Sequence, residues 1–169
     1  MKNRTFILTL AVIAVCALLA TSAGQLAAHG GTPATDSAPI TDLSLGHGLP
    51  ASAPGQVLTL ERITLAPGAA FPVHVHPGAY VLTIESGTLE FPIMKGEAIV
   101  TRAGSTSPET VTAGTNTVLN AGDSLFEQEG VVHTARNAGK EPVVILAASL
   151  LAADQPGLQP TNDQGTPAS

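Results

Sequence analysis

From residue 56 onward, apolar and polar positions alternate in short runs, each closed by turn-forming residues. Residues 57–65 alternate loosely and stop at Ala66, Pro67 and Gly68. Residues 80–85 are rich in β-branched side chains and end at Ser86 and Gly87, and 88–91 follow until Pro92. Further runs cover 99–102, 117–119, 124–126, 132–136 and 143–150, with Gly, Pro, Asn or Asp between most neighbours. A period of two puts alternate side chains on opposite faces of a strand, and short strands at this spacing predict a β-sandwich or barrel. The Ala-rich stretch 146–153 is expected to carry the last strand into a short helix. No internal repeat is visible.

The two ends lack this pattern. Lys2 and Arg4 precede an apolar run, residues 6–20, whose one polar residue is Thr9. Small residues follow, and residues 1–28 read as a secretory signal peptide. The run is short for a membrane span, so the expected product is secreted or periplasmic, with no stable span after processing. Cys16 is the one cysteine and lies in this segment. Its removal would exclude disulfides, thiolate ligands and a cysteine nucleophile together. Residues 29–50 are interrupted by Gly30, Gly31, Pro33, Pro39 and Gly46 and read as a flexible linker, with His29 and His47 as solvated loop histidines. Residues 154–169 are polar and rich in Pro, Gly and Gln, and are expected to form a disordered tail. The β-domain is therefore expected over 51–153.

A chain of 169 residues suits one domain with extensions. The net charge of −6 becomes more negative once Lys2 and Arg4 are removed, so nucleic acid and anionic membrane surfaces are not expected partners. With no Trp, one Tyr and four Phe, the core must be aliphatic, and no aromatic platform for sugar stacking is available. No Gly-x-Ser-x-Gly elbow or phosphate-binding loop occurs.

The chemistry concentrates in two stretches. In the first, His74 and His76 are two apart within a segment flanked by Phe71, Pro72, Val73, Val75 and Pro77. The prolines rule out a helix interior, and on a strand both imidazoles face one side, close enough to hold one metal ion. In the second, Gly122, Gln128, Gly130, His133 and Asn137 follow one another within residues 122–137.

Together these stretches resemble the cupin family. Its first motif has Gly, five residues, His-x-His, three or four residues, Glu, six residues and Gly. This chain has Gly68, His74, His76, then Tyr80 in place of the Glu, then Gly87. Its second motif has Gly, five residues, Pro-x-Gly, two residues, His, three residues and Asn. Here those positions are Gly122, Gln128 in place of Pro, Gly130, His133 and Asn137. The resemblance covers residues 56–153 and implies an all-β fold, a single antiparallel jelly-roll β-barrel. It implies that His74, His76 and His133 converge on a metal, with Tyr80, Gln128 and Arg136 around the pocket. Gly68, Gly87, Gly122 and Gly130 mark strand reversals where positive φ is often needed, and Asn137 is expected to bridge a strand end without ligating.

Tyr80 leaves three alternatives open. In the first, three imidazoles hold the metal with open positions; in the second, Tyr80 hydrogen-bonds a bound water or substrate; in the third, the pocket is metal-free. An all-nitrogen set favours a divalent transition metal such as Zn, Cu or Fe over Mn, which prefers oxygen. Glu85 has the opposite strand parity to Tyr80 and is not expected to replace the missing carboxylate, while Glu90 and Glu97 remain candidates. Two function classes follow: a metal- and small-molecule-binding exported protein, or a metal-dependent enzyme of the dioxygenase or isomerase type. Pairing into a homodimer is also expected.

Overall fold

Alternation of inward apolar and outward polar side chains sets the strands of this protein. The computed structural model describes residues 38–168, which lie within one compact unit, Thr35–Ser169. The strands are β1 (Ile40–Gly48), β2 (Gln56–Leu65), β3 (His74–Val75), β4 (Gly78–Ser86), β5 (Thr88–Lys95) and β6 (Glu97–Thr101). They continue as β7 (Glu109–Thr112), β8 (Asn116–Asn120), β9 (Ser124–Glu127), β10 (Val132–His133), β11 (Val143–Ala152) and β12 (Gln159–Pro160). Among the described residues there is no helix, and so none long and apolar enough to cross a membrane.

The strands form two antiparallel sheets. One has seven strands in the order β1-β2-β11-β4-β9-β6-β7, the other five in the order β12-β3-β10-β5-β8. The expected jelly roll is thus built as two facing sheets that do not close into a continuous barrel. Along β11 every second residue is buried, from Val143 through Ile145, Ala147, Ser149 and Leu151. The same two-residue period buries Leu82 and Ile84 on β4 and Leu89, Phe91 and Ile93 on β5. Leu65, Leu89, Val100, Leu119 and Val143 have no exposed surface at all. Burying an aliphatic side chain of this size contributes about 1.5–3 kcal/mol, so this core needs few aromatics.

The register places one polar line across the inner face of the large sheet. Thr59 pairs with Ser149, Ser149 with Tyr80, and Tyr80 with Glu127. The adjacent line runs Glu61, Ala147, Leu82, Leu125 and Val100 and is mostly apolar. The space between the sheets is therefore polar at one end and dry at the other.

Several segments depart from the sequence reading. Residues 40–48, expected as linker, form edge strand β1, paired with β2 along its length apart from a bulge between Ser44 and Gly46. Its side chains are largely exposed, so main-chain pairing holds it and no apolar period betrays it. Gln159 and Pro160, expected in a disordered tail, pair with Val75 and His74. Residues 146–152 continue as strand with no helix, because β11 is hydrogen-bonded on both sides, to β2 and to β4. Pro92 does not end β5; its main chain faces residues 132–136, where the Thr134 N–H donates to its carbonyl (3.2 Å) and the β5–β10 register is irregular, so a missing N–H disrupts little. The signal-peptide segment 1–28 and His29 lie outside the described residues.

Gly68, Gly87, Gly122 and Gly130 have φ of 80°, 82°, 87° and 78°. At Gly87 a Cβ would also stand 2.7 Å from the carbonyl oxygen of Pro142, so the β4–β5 turn has neither the dihedral nor the space for a side chain.

Candidate metal centre

His74 opens β3 and His76 follows its end, so both rings project to one side. His133 closes β10 and pairs directly opposite His74. Ring centroids are 4.2 Å apart for His74 and His133, 4.8 Å for His74 and His76, and 5.3 Å for His76 and His133. One nitrogen of each ring lies within 4.8 Å of those of the other two. Phe91 stacks on His133, and Phe71 tilts against His74, packing the rings from the apolar end.

Each ring is also held by a main-chain carbonyl. Nδ1 contacts the carbonyl oxygen of Pro72 in His74 (2.7 Å), of Gly157 in His76 (2.6 Å) and of Val131 in His133 (3.2 Å). A carbonyl oxygen can only accept, so Nδ1 carries the proton and Nε2 keeps its lone pair. That tautomer, fixed by a second hydrogen bond, is the usual metal-binding form. Burial lowers the proton affinity of all three imidazoles: His76 falls to about 4, His74 is lowered, and His133 goes well below the ordinary value. The rings are thus neutral near pH 7, as ligation requires.

The residue that the sequence reading missed is Glu127. It ends β9, is 1% exposed, and has Oε1 3.3 Å from His76 Nε2 and Oε2 3.2 Å from His133 Nδ1. The His133 N–H is directed at Val131, and Oε2 has no hydrogen-bond donor. Desolvation pushes the Glu127 carboxyl well above the ordinary range while the histidines are pushed down, so without a cation these contacts join neutral groups. Three lone-pair nitrogens beside an unsatisfied buried carboxyl oxygen fit a divalent transition metal. The one sequence signal was parity: on β9, Glu127 shares the inward face with Leu125, a position where an acid is unexpected.

Tyr80 is buried and stacks on His76, with centroids 4.5 Å apart and planes at 21°. Its hydroxyl donates to Glu61 Oε2 at 3.3 Å, and burial, reinforced by Glu61, raises its pKa further. The phenol therefore stays protonated and braces His76. Gln128 and Arg136, expected around the pocket, are exposed and do not line it. The strand period turns Gln128 away from Glu127, and Arg136 pairs with Glu90 at the surface. Glu85 pairs with Arg62 at 2.7 Å, and Glu97 is exposed, so neither reaches the histidines. Asn137 is buried, donates to the carbonyls of Leu65 (3.0 Å) and Glu141 (2.8 Å), and accepts from the Gly139 N–H (2.9 Å). It joins two chain segments and touches no imidazole.

A cavity of about 360 Å³ opens beside the three rings. Its polar wall carries Asp42, Thr59, Glu61, Tyr80, Glu127 and Ser149, and its dry end Ile63, Leu82, Leu89, Phe91 and Ile145. Thr59 and Ser149 share a hydrogen bond of 2.7 Å. Among the described residues lining it there is no Lys or Arg.

Two facing antiparallel sheets with three convergent imidazoles define an all-β domain of the metal-site type. The chain belongs to the cupin family, whose pattern it matches over residues 54–167. It is 32% identical over 106 residues to germin-like protein subfamily 3 member 3 of Arabidopsis thaliana, covering 62% of this chain and 43% of that protein. It is 28% identical over 116 residues to oxalate oxidase GF-3.8 of Triticum aestivum, covering 69% of this chain and 46% of that one. The matched region thus spans less than half the length of these relatives. Among solved structures, a DMSP lyase from Ruegeria pomeroyi aligns over 79% of this chain and 56% of its own, at 18% identity and a TM-score of 0.48.

Proposed function

We propose that this chain is an exported metal-binding cupin in which His74, His76 and His133 hold one divalent transition metal at the wall of a small-molecule cavity. The observation that carries the reading is the set of three buried imidazoles, each with Nδ1 tied to a carbonyl, which leaves Nε2 its lone pair. Export rests on the apolar run 6–20 behind Lys2 and Arg4. Beyond the metal, the cavity lining offers Asp42 and Glu61 and no side-chain cation, so an anionic group on a ligand would have the metal alone to pair with. A metal-dependent oxygenase or isomerase is the second reading, supported by the cavity's direct border on the imidazoles, which leaves room for a ligand at the metal. Homodimer formation is proposed through the outer face of β1 and β2, which exposes Leu43, Leu45, Leu58 and Leu60.

Elemental analysis of protein purified without an affinity tag tests the central claim. One metal per chain is expected, lost in His74→Ala and His133→Ala. A parent protein that binds no metal at saturation would end both the binding and the enzyme readings. Intact mass of the extracytoplasmic protein should place its start between residues 24 and 29, and sizing should show a dimer.

A further inference from the structure

The geometry points to Glu127 as the fourth, anionic ligand of the metal, supplied from β9. This inference rests on the three-histidine reading and adds a donor that changes which metals the site accepts.

Three observations converge on this carboxylate. The first is position: Glu127 Oε1 stands 3.3 Å from His76 Nε2. Two donors at about 2.1 Å from one ion, with an angle of 90–109° between them, are separated by about 3.0–3.4 Å. The second is sign. His76 Nδ1 is engaged with the Gly157 carbonyl, so Nε2 presents a lone pair to a carboxyl oxygen, which is itself an acceptor. Two acceptors face each other this closely only with a proton or a cation between them. The third is the absence of any other partner: Oε2 is fully buried without a donor, and no Lys or Arg lines the cavity among the described residues. A buried carboxylate without a counter-charge is costly, and a divalent cation at this point would satisfy it.

The register explains how the ligand came to be missed. Tyr80 and Glu127 are direct cross-strand partners on β4 and β9, both facing inward. In the cupin pattern the carboxylate stands at the Tyr80 position; here it stands one strand away on the same polar line. An aromatic ring occupies the vacated place and stacks on His76. The ligand set becomes three nitrogens and one oxygen. An anionic oxygen raises the affinity for Mn²⁺ and Fe²⁺ above that of an all-nitrogen set, which brings Mn²⁺ into the range of metals the site accepts.

The test is competitive titration of metal-stripped protein with Mn²⁺ and Zn²⁺. The parent is compared with Glu127→Gln and with the transposed double variant Tyr80→Glu/Glu127→Leu. Glu127→Gln should lose about 100-fold in Mn²⁺ affinity and only about tenfold for Zn²⁺, and the double variant should recover most of the Mn²⁺ affinity. Thermal melts of the metal-free proteins confirm that each variant is folded. Equal losses for both metals would overturn the ligand assignment and make Glu127 a positioning residue for His133. Mn²⁺ affinity in Glu127→Gln within threefold of the parent would also overturn it. Absence of binding of either metal by the parent would instead remove the three-histidine site itself.

Discussion

A buried metal ligand with an unsatisfied oxygen should cost stability when no metal is present, and Glu127→Leu measures that cost. Oε2 lacks a donor, and the carboxyl lies between the sheets at 1% exposure. An unsatisfied buried polar atom costs about 1–3 kcal/mol. Leucine has a similar length and finds Val100 and Leu125 at hand on the neighbouring inward line. Allowing for the lost contact with His76, the metal-free variant should be about 2 kcal/mol more stable than the parent. For a domain of this size that corresponds to a rise in Tm of roughly 6–10 °C. Differential scanning calorimetry in chelator gives the number. Saturating metal should reverse the order: at about 1,000 times Kd a bound ion adds about 4 kcal/mol to the parent, and the variant, binding more weakly, gains less. A metal-free Glu127→Leu protein that melts below the parent would refute this reasoning, showing that the carboxyl is satisfied by its histidine contacts.

Stability of the metal-free protein should fall as pH drops from 6.5 to about 4. Unfolded imidazoles take protons in that window while folded His76 does not until about 4, so the unfolded state binds more protons. His76 alone makes this worth about 3 kcal/mol. His74 and His133 act in the same direction, whereas Glu127, whose pKa is raised, opposes them above its ordinary value. Urea midpoints across this range should therefore fall more steeply in Glu127→Leu than in the parent, and a flat profile in both would contradict the burial of the rings. Tyr80→Phe should keep metal affinity within threefold, because the hydroxyl points to Glu61 and the stacking ring remains; a tenfold loss in the same titration would make the phenol a ligand. Gly78→Ala should prevent recovery of soluble folded protein or cost more than 3 kcal/mol by denaturant melt, since a Cβ there would lie 2.2 Å from the Leu150 carbonyl oxygen in the β4–β11 ladder.

The sequence by itself determined what depends on local periodicity. The two-residue alternation of residues 57–65 and 143–150 made β2 and β11 legible, since each has one face on the core. His74 and His76 could be set on one face from their spacing alone, and His133 from its place in the second motif. Strand β1 was not legible: with both faces largely exposed, it is held by main-chain bonds that leave no mark on its side chains. Strand β12 was hidden for a related reason, since Gln159 and Pro160 are ordered by the main chain of β3 and not by a pattern of their own. The carboxylate was decided by tertiary structure alone. Glu127 reaches the histidines because β9 pairs with β4 in the one register that sets it beside Tyr80, 47 positions apart in the chain. Cross-strand register is fixed by non-local pairing and core packing, so the acids that follow Tyr80 in the chain, Glu85, Glu90 and Glu97, stand away from the histidines, while the neighbouring strand brings Glu127 to them.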